Sequence, residues 1–159
     1  MKRDIFIDNN IACRFANPVD PNYKNLVAWL NDNHVIPENQ EDDRAYLVVS
    51  NKLLKEYLSS CRGAFATNAI PNIVNKMLRE GRLVKISNDQ INEFKSAYFT
   101  KAVERKLTSN AEDRNHIPVV LLSERKMALT NDEKFTYDLV NFPGFTVIVS
   151  DRPEQIPYK

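Results

Sequence analysis

The sequence predicts an α/β fold: a three-layer α/β/α sandwich around a mostly parallel central sheet of four to five strands. Three observations predict it. Short apolar runs of strand length alternate with stretches of helical period, the pattern of strands joined by crossover helices. Two of these runs, Asp4-Ile5-Phe6-Ile7-Asp8 and Met127-Ala128-Leu129-Thr130-Asn131-Asp132, each lead into an aspartate at the carboxyl end. No repeat, linker or low-complexity segment interrupts the 159 residues, so 1–159 reads as a single domain with enough chain to bury a core.

The first strand is expected over 4–8 and a helix over 9–15. A break at Asn17-Pro18-Val19-Asp20-Pro21 precedes a second helix, with Leu26, Val27, Trp29 and Leu30 on its apolar face. The polar run 37–43 reads as an exposed loop or a helix start. Tyr46-Leu47-Val48-Val49 is the second strand, and Ser50 is placed to cap a helix that runs to Cys61. The next helix, over 68–80, stops at Gly81, since glycine readily takes the left-handed conformation that ends a helix. Leu83-Val84-Lys85-Ile86 is the third strand. By pattern 88–107 is one helix, with Ile91, Phe94, Tyr98 and Val103 inward. Another helix begins near Asn115, because Pro118 is tolerated only in a first turn, and this puts Asp113 at a helix amino end. The fourth strand covers 127–130, a short helix 133–139 and the fifth strand 146–149; the tail from Asp151, with Pro153 and Pro157, is expected to be extended.

Composition excludes several function classes. Apolar residues make up 43% and charged residues 27%, with a formal net charge of +1, so no whole-molecule field draws in a polyanion. Any such partner must be held by a local patch or through a metal. Cys13, Cys61, His34 and His116 stand singly, which rules out zinc spacing and implies free, partly buried thiols. The start Met1-Lys2-Arg3-Asp4 reaches an acid before any long apolar stretch, and no apolar run approaches the ~18 residues of a membrane helix. A cytoplasmic protein without a membrane partner is expected. Only three glycines occur, Gly63, Gly81 and Gly144, well apart, so no glycine-rich loop cradles a phosphate.

The acids carry the candidate chemistry. Asp8 and Asp132 end strands of one sheet, and ligands bind in the crevice beyond the carboxyl ends of such strands. Two acids in one crevice repel unless a cation lies between them, and hard divalent cations prefer oxygen. Asp113, with Glu112 beside it, gains from the dipole of the helix it precedes. Glu56 lies on the flank of its helix, roughly 130° from the stripe of Leu53, Leu54, Tyr57, Leu58 and Cys61, where a solvated glutamate is equally reasonable. For each aspartate the plain alternative is helix capping. His116 reads as a hydrogen-bonded structural histidine or a general acid. Arg79, Arg82 and Lys85, like Arg105 and Lys106, read as a solvated face that could also steer RNA. Trp29 reads as core.

These residues resemble the PIN domain, a small metal-dependent ribonuclease fold, from Ile5 to about Val149. Ile7-Asp8-Asn9-Asn10 is similar to the family's strand-ending aspartate, although Asn9 stands where Thr or Ser is more usual. Val49-Ser50-Asn51-Lys52-Leu53-Leu54-Lys55-Glu56 resembles its second strand and glutamate-bearing helix. Asp113-Arg114-Asn115-His116-Ile117 is similar to the third acid at a helix start, with Pro118 a departure. Thr130-Asn131-Asp132 before Phe135 is similar to the fourth acid.

The resemblance implies that Asp8, Asp113 and Asp132 hold one or two Mg²⁺ or Mn²⁺ ions and that Glu56 completes the cluster directly or through water. Asn10, Thr130 and His116 would stand behind the ligands, and the activity would be endoribonuclease cleavage of single-stranded RNA. For toxin-type members it also implies an antitoxin protein or a homodimer as partner. The rival is an inactive PIN-like scaffold that binds RNA or protein. A phospho-acceptor receiver-like domain is disfavoured because Lys126 precedes its strand rather than ending it.

Overall fold

Burial on both faces accounts for the strands. β1 (Arg3–Ile7), β2 (Ala45–Val49) and β4 (Met127–Leu129) are almost wholly buried, as expected for near-continuous apolar runs covered by helices on either side. β3 (Leu83–Lys85) and β5 (Ile148–Ser150) are more exposed and form the edges. The computed structural model describes residues 1–16, 19–59 and 69–159. Its sheet runs in the order β3-β2-β1-β4-β5, and every pairing is parallel. The chain travels outward from β1 to β3, then crosses back to lay β4 and β5 on the other side of β1. The order therefore reverses between β1 and β4, and a crevice opens beyond their carboxyl ends.

Between β1 and β3 the chain forms α1 (Asn9–Ala12), a 3-10 turn (Cys13–Ala16), α2 (Pro21–Asn31), α3 (Asn51–Ser59) and α4 (Ile70–Arg79). α1 packs on α3 and α2 on α4. After β3 come α5 (Asn88–Tyr98), α6 (Lys101–Lys106), a 3-10 turn (Asp113–Asn115), α7 (His116–Leu121) and α8 (Glu133–Val140). α7 packs on both α5 and α8. The two helical groups flank the sheet, consistent with three layers.

Several expected boundaries move. The first helix keeps only four α-helical residues before tightening into a 3-10 turn, which leaves the Cys13 thiol exposed rather than partly buried. The expected helix over 88–107 is two helices. Phe99 leaves helical geometry, and the Thr100 hydroxyl accepts from the Val103 amide to start α6 afresh. A capping residue inside an apolar period overrides the period. Tyr98, expected inward, is 46% exposed, although its ring meets those of Phe94 and Phe145. β5 forms two residues later than its apolar run suggests. The tail is not simply extended: Pro153–Gln155 is a 3-10 turn, and Ile156 and Tyr158 are buried. The Tyr158 ring meets Trp29 edge-on at 5.0 Å, so Trp29 is a packing residue as expected. Gly81 ends α4 at φ 70°, also as expected. Cys61, Gly63 and the starts and ends expected at 61 and 68 lie outside the described residues, as do Asn17 and Pro18. No helix among the described residues is long and apolar enough to cross a membrane.

Two buried charges set the frame. Arg82, expected on a solvated basic face, is completely buried. Its guanidinium donates to the carbonyls of Leu30 (2.8 Å) and Ala45 (2.9 Å) and pairs with Glu80 (2.6 Å), tying the end of α2 and the start of β2 to the approach to β3. Arg79 and Lys85 do remain exposed. Asp4 is also buried, and its carboxylate accepts from the backbone amides of Glu124 (2.8 Å) and Arg125 (2.9 Å). It thereby pins the turn that feeds β4 against the amino end of β1. Replacing Arg82 by Ala strands two carbonyls and leaves Glu80 with Lys76 alone among the described residues, and should cost ~3–5 kcal/mol of stability, read from urea unfolding. Lys should recover only part of the loss, because an ammonium cannot reproduce the planar fork.

Candidate functional site

Asp8 and Asp132 are brought together by the seam between β1 and β4. Ile7 pairs with Leu129, and the Asp8 amide donates to the Leu129 carbonyl at 2.8 Å, so the two chains leave the sheet side by side. Asp8 caps α1, accepting from the Asn9 amide (2.8 Å). Its second oxygen accepts from the Thr130 hydroxyl (2.7 Å) and the Asn10 amide group (3.2 Å). Thr130, which is buried, also accepts from the Asp132 amide at 3.1 Å, while Asn10 accepts from the Asn131 amide at 3.2 Å. Thr130 thus ties Asp8 to the backbone of Asp132, and Asn10 ties it to the backbone of Asn131. Asp132 caps α8 through Phe135 (3.0 Å). Capping and site placement coincide here, because a strand that turns straight into a helix leaves its capping acid in the crevice.

Behind this seam lies a second cluster. Glu56, on α3, accepts from His116 Nε2 at 3.0 and 3.1 Å and pairs with Lys52 at 3.3 Å, one helical turn earlier. His116 is buried, its ring packed 5.6 Å from that of Phe6, and its Nδ1 has no hydrogen-bond partner among the described residues. The reading of His116 as a hydrogen-bonded histidine holds. Tyr57 donates to the Ile7 carbonyl at 2.5 Å, fixing the backbone just before Asp8.

Asp113, at the first residue of its 3-10 turn, links the clusters electrostatically. Its carboxyl is raised above the ordinary range by burial, then by the Asp132 charge and, more weakly, that of Glu56; His116 and Lys52 oppose the rise. Burial likewise raises Asp8, with a smaller push from Glu56, while the Thr130 hydrogen bond, the His116 charge and the Asn9 amide pull it down without cancelling the effect. For Glu56, burial is outweighed by the His116 and Lys52 contacts, and its carboxyl sits below the usual range. Burial, with the charges of Asp8 and Glu56, pushes the Tyr57 phenol well up.

Each expected site residue therefore lies at this end of the sheet or feels the charge of one that does. Among the described residues, however, no three His, Cys, Asp or Glu side chains form a ready cation site. Oxygen donors remain for one: the Asp113 carboxylate and the second oxygen of Asp132 accept no hydrogen bond from the described residues, and Asp8 keeps lone pairs beyond those it uses. Glu56, expected to complete the cluster directly or through water, has both its oxygens within hydrogen-bond distance of His116 Nε2.

Lys52 was not anticipated. It pairs with Glu56 and lies 3.9 Å from Glu112, and its position four residues before Glu56 was the available signal. An open groove of about 600 Å³ starts at Glu56 and Asn9 and was equally unforeseen.

No protein-family model matches this chain, and no curated protein matches it.

Replacing Thr130 by Val keeps its shape but removes the hydroxyl. The Asp8 carboxyl, already raised, should titrate higher still in a carbon-detected NMR titration, and stability should fall by ~1–3 kcal/mol. Asp113→Asn removes a charge without breaking a described hydrogen bond. Because the folded-state carboxyl is raised, its ionisation opposes folding as pH climbs from the unfolded to the folded value, and the full cost persists above that. The variant should therefore melt higher than the parent at pH 7 and alike at pH 3, measured by calorimetry.

Proposed function

We propose that the protein is a divalent-metal-dependent endoribonuclease of PIN-like type, cleaving single-stranded RNA. The observation that carries this reading is the clamped pair Asp8 and Asp132 at the strand-order reversal, with the Asp113 carboxyl raised by burial and then by the Asp132 charge. Like charges gathered beyond strand ends cost stability in the free protein, and a hard cation removes that cost. The three aspartates offer only oxygen, which fits Mg²⁺ or Mn²⁺.

Asp8, Asp113 and Asp132 would hold the ion. When bound, it would lower the pKa of a water and neutralise charge on the phosphodiester. The chain's own residues do the positioning. Thr130 and Asn10 fix the Asp8 oxygens and tie them to the loop carrying Asp132. Glu56 holds the buried His116 in place and adds negative charge beside Asp8 and Asp113. Lys52 offsets part of that charge. A toxin role with an antitoxin partner and a homodimer belong to the same proposal and rest on the sequence resemblance alone, and a cytoplasmic location rests on the sequence reading of residues 1–4 and of the apolar runs.

Purified protein should cleave a mixed pool of single-stranded RNA with Mn²⁺ or Mg²⁺ and lose all cleavage in EDTA. Asp8→Asn and Asp132→Asn should each lower the rate by at least ~100-fold, since the ion contributes several kcal/mol of transition-state stabilisation. Metal-dependent cleavage that survives both substitutions would refute the assignment. No cleavage of any pool, with RNA still bound, would favour the scaffold instead.

A further inference from the structure

The groove of about 600 Å³ beside the acids is within the size range of ligand-binding clefts, yet it lacks their usual apolar lining. It crosses the carboxyl ends of β1, β2 and β3. Asn9 follows β1, Asn88 opens α5 just after β3, and one polar stripe of α3 supplies the floor. Lys52, Lys55, Glu56 and Ser59 share that stripe because they recur at helical spacing, while Leu53 and Tyr57 face the core. With no apolar or aromatic side chain among its described lining residues, the groove lacks the anchors of a protein-docking hot spot. Those described residues likewise include no stacking platform of the kind on which many RNA-binding surfaces rely. It offers amides, which donate and accept, the Ser59 hydroxyl and two ammonium groups, with the Glu56 carboxylate at its acidic end.

Lys52 is engaged with Glu56 and Glu112. Lys55 is exposed, and its ammonium has no ion-pair partner among the described residues. With a net charge of only +1, the protein has no global field to hold a polyanion, and Lys55 supplies a local cation next to the acids.

We propose that this groove is the strand-holding subsite of the nuclease. It binds the single-stranded RNA flanking the cleaved phosphate, with Lys55 on a backbone phosphate and the Asn88 amide on a neighbouring sugar or base edge. The strand then lies toward β3 rather than β5, and it is gripped by phosphate and amide contacts without stacking. This rests on the nuclease reading for its purpose but not for its measurement.

The test is fluorescence anisotropy with a labelled ten-nucleotide single-stranded RNA of mixed sequence, in EDTA so that no cleavage occurs, across a salt series. Lys55→Ala should weaken binding at low salt at least five-fold and flatten the slope of log affinity against log salt by ~0.7, the value for one phosphate contact on a single strand. Asn88→Ala should weaken binding about three-fold or more without changing the slope, since an amide contact releases no counterion. Lys2→Ala, at the amino end of β1 and thus the opposite end of the sheet, should bind as the parent does. Parent-like binding by both groove variants overturns the subsite, as does an absence of RNA binding by the parent. Groove-dependent binding by a protein that never cleaves would keep the subsite and remove the nuclease. Cleavage with binding indifferent to Lys55 and Asn88 would do the reverse.

Discussion

The Thr130 hydroxyl sits where two strands of distant sequence leave the sheet together. It donates to Asp8 at the end of β1 and accepts from the backbone of Asp132 beyond β4. Remove it and nothing else described joins the Asp8 carboxylate directly to the Asp132 backbone; Asn10 reaches only as far as Asn131. The constraint begins lower in the molecule. Asp4, buried at the other end of β1, holds the turn that delivers β4 alongside. β1 thus carries a structural acid at its amino end and a candidate chemical acid beyond its carboxyl end, and the pairing of Phe6 and Ile7 with Ala128 and Leu129 transmits the register between them.

The electrostatics of the upper end follow from that convergence. Burial and neighbouring acids raise Asp8 and Asp113, while Glu56 is drained by its contacts with His116 and Lys52. The cluster is thus divided. One carboxylate already takes hydrogen bonds from His116 and an ion pair from Lys52, while Asp8 and Asp113 are raised first by burial and then by neighbouring acids. A divided cluster of this kind has a reason to take up an external cation at the aspartates and little reason to do so at Glu56. The Asn-rich groove begins at Glu56 itself and continues along the polar stripe of α3.

Much of this was legible in the sequence where the determinant was local. The apolar runs within 4–8 and 127–130 announce strands, and the aspartates that follow those apolar residues, Asp8 and Asp132, announce both a cap and a crevice position. Gly81 announces the end of α4. What stayed hidden depends on partners far apart in the chain or on competition between local signals. Thr100 breaks an apolar period that looks continuous, because its hydroxyl caps a new turn. Arg82 looks like part of a basic surface run until Leu30 and Ala45 close around it. Glu56 looks like a solvated flank residue because His116, its partner, lies 60 positions away. Asp138 gave no signal at all, yet its buried carboxylate accepts from Thr108 and Ser109 and fastens the loop before Asp113 to α8.

The most direct measurement is a crystal of the protein soaked in Mn²⁺, with the ion located by its anomalous scattering. The account predicts one Mn²⁺ peak in the crevice over β1 and β4, with oxygens of Asp8, Asp113 and Asp132 at about 2.1–2.2 Å and Glu56 still turned to His116. A Mn²⁺ bound elsewhere, or a crevice that stays empty at saturating Mn²⁺ while the three aspartates keep their positions, would contradict it.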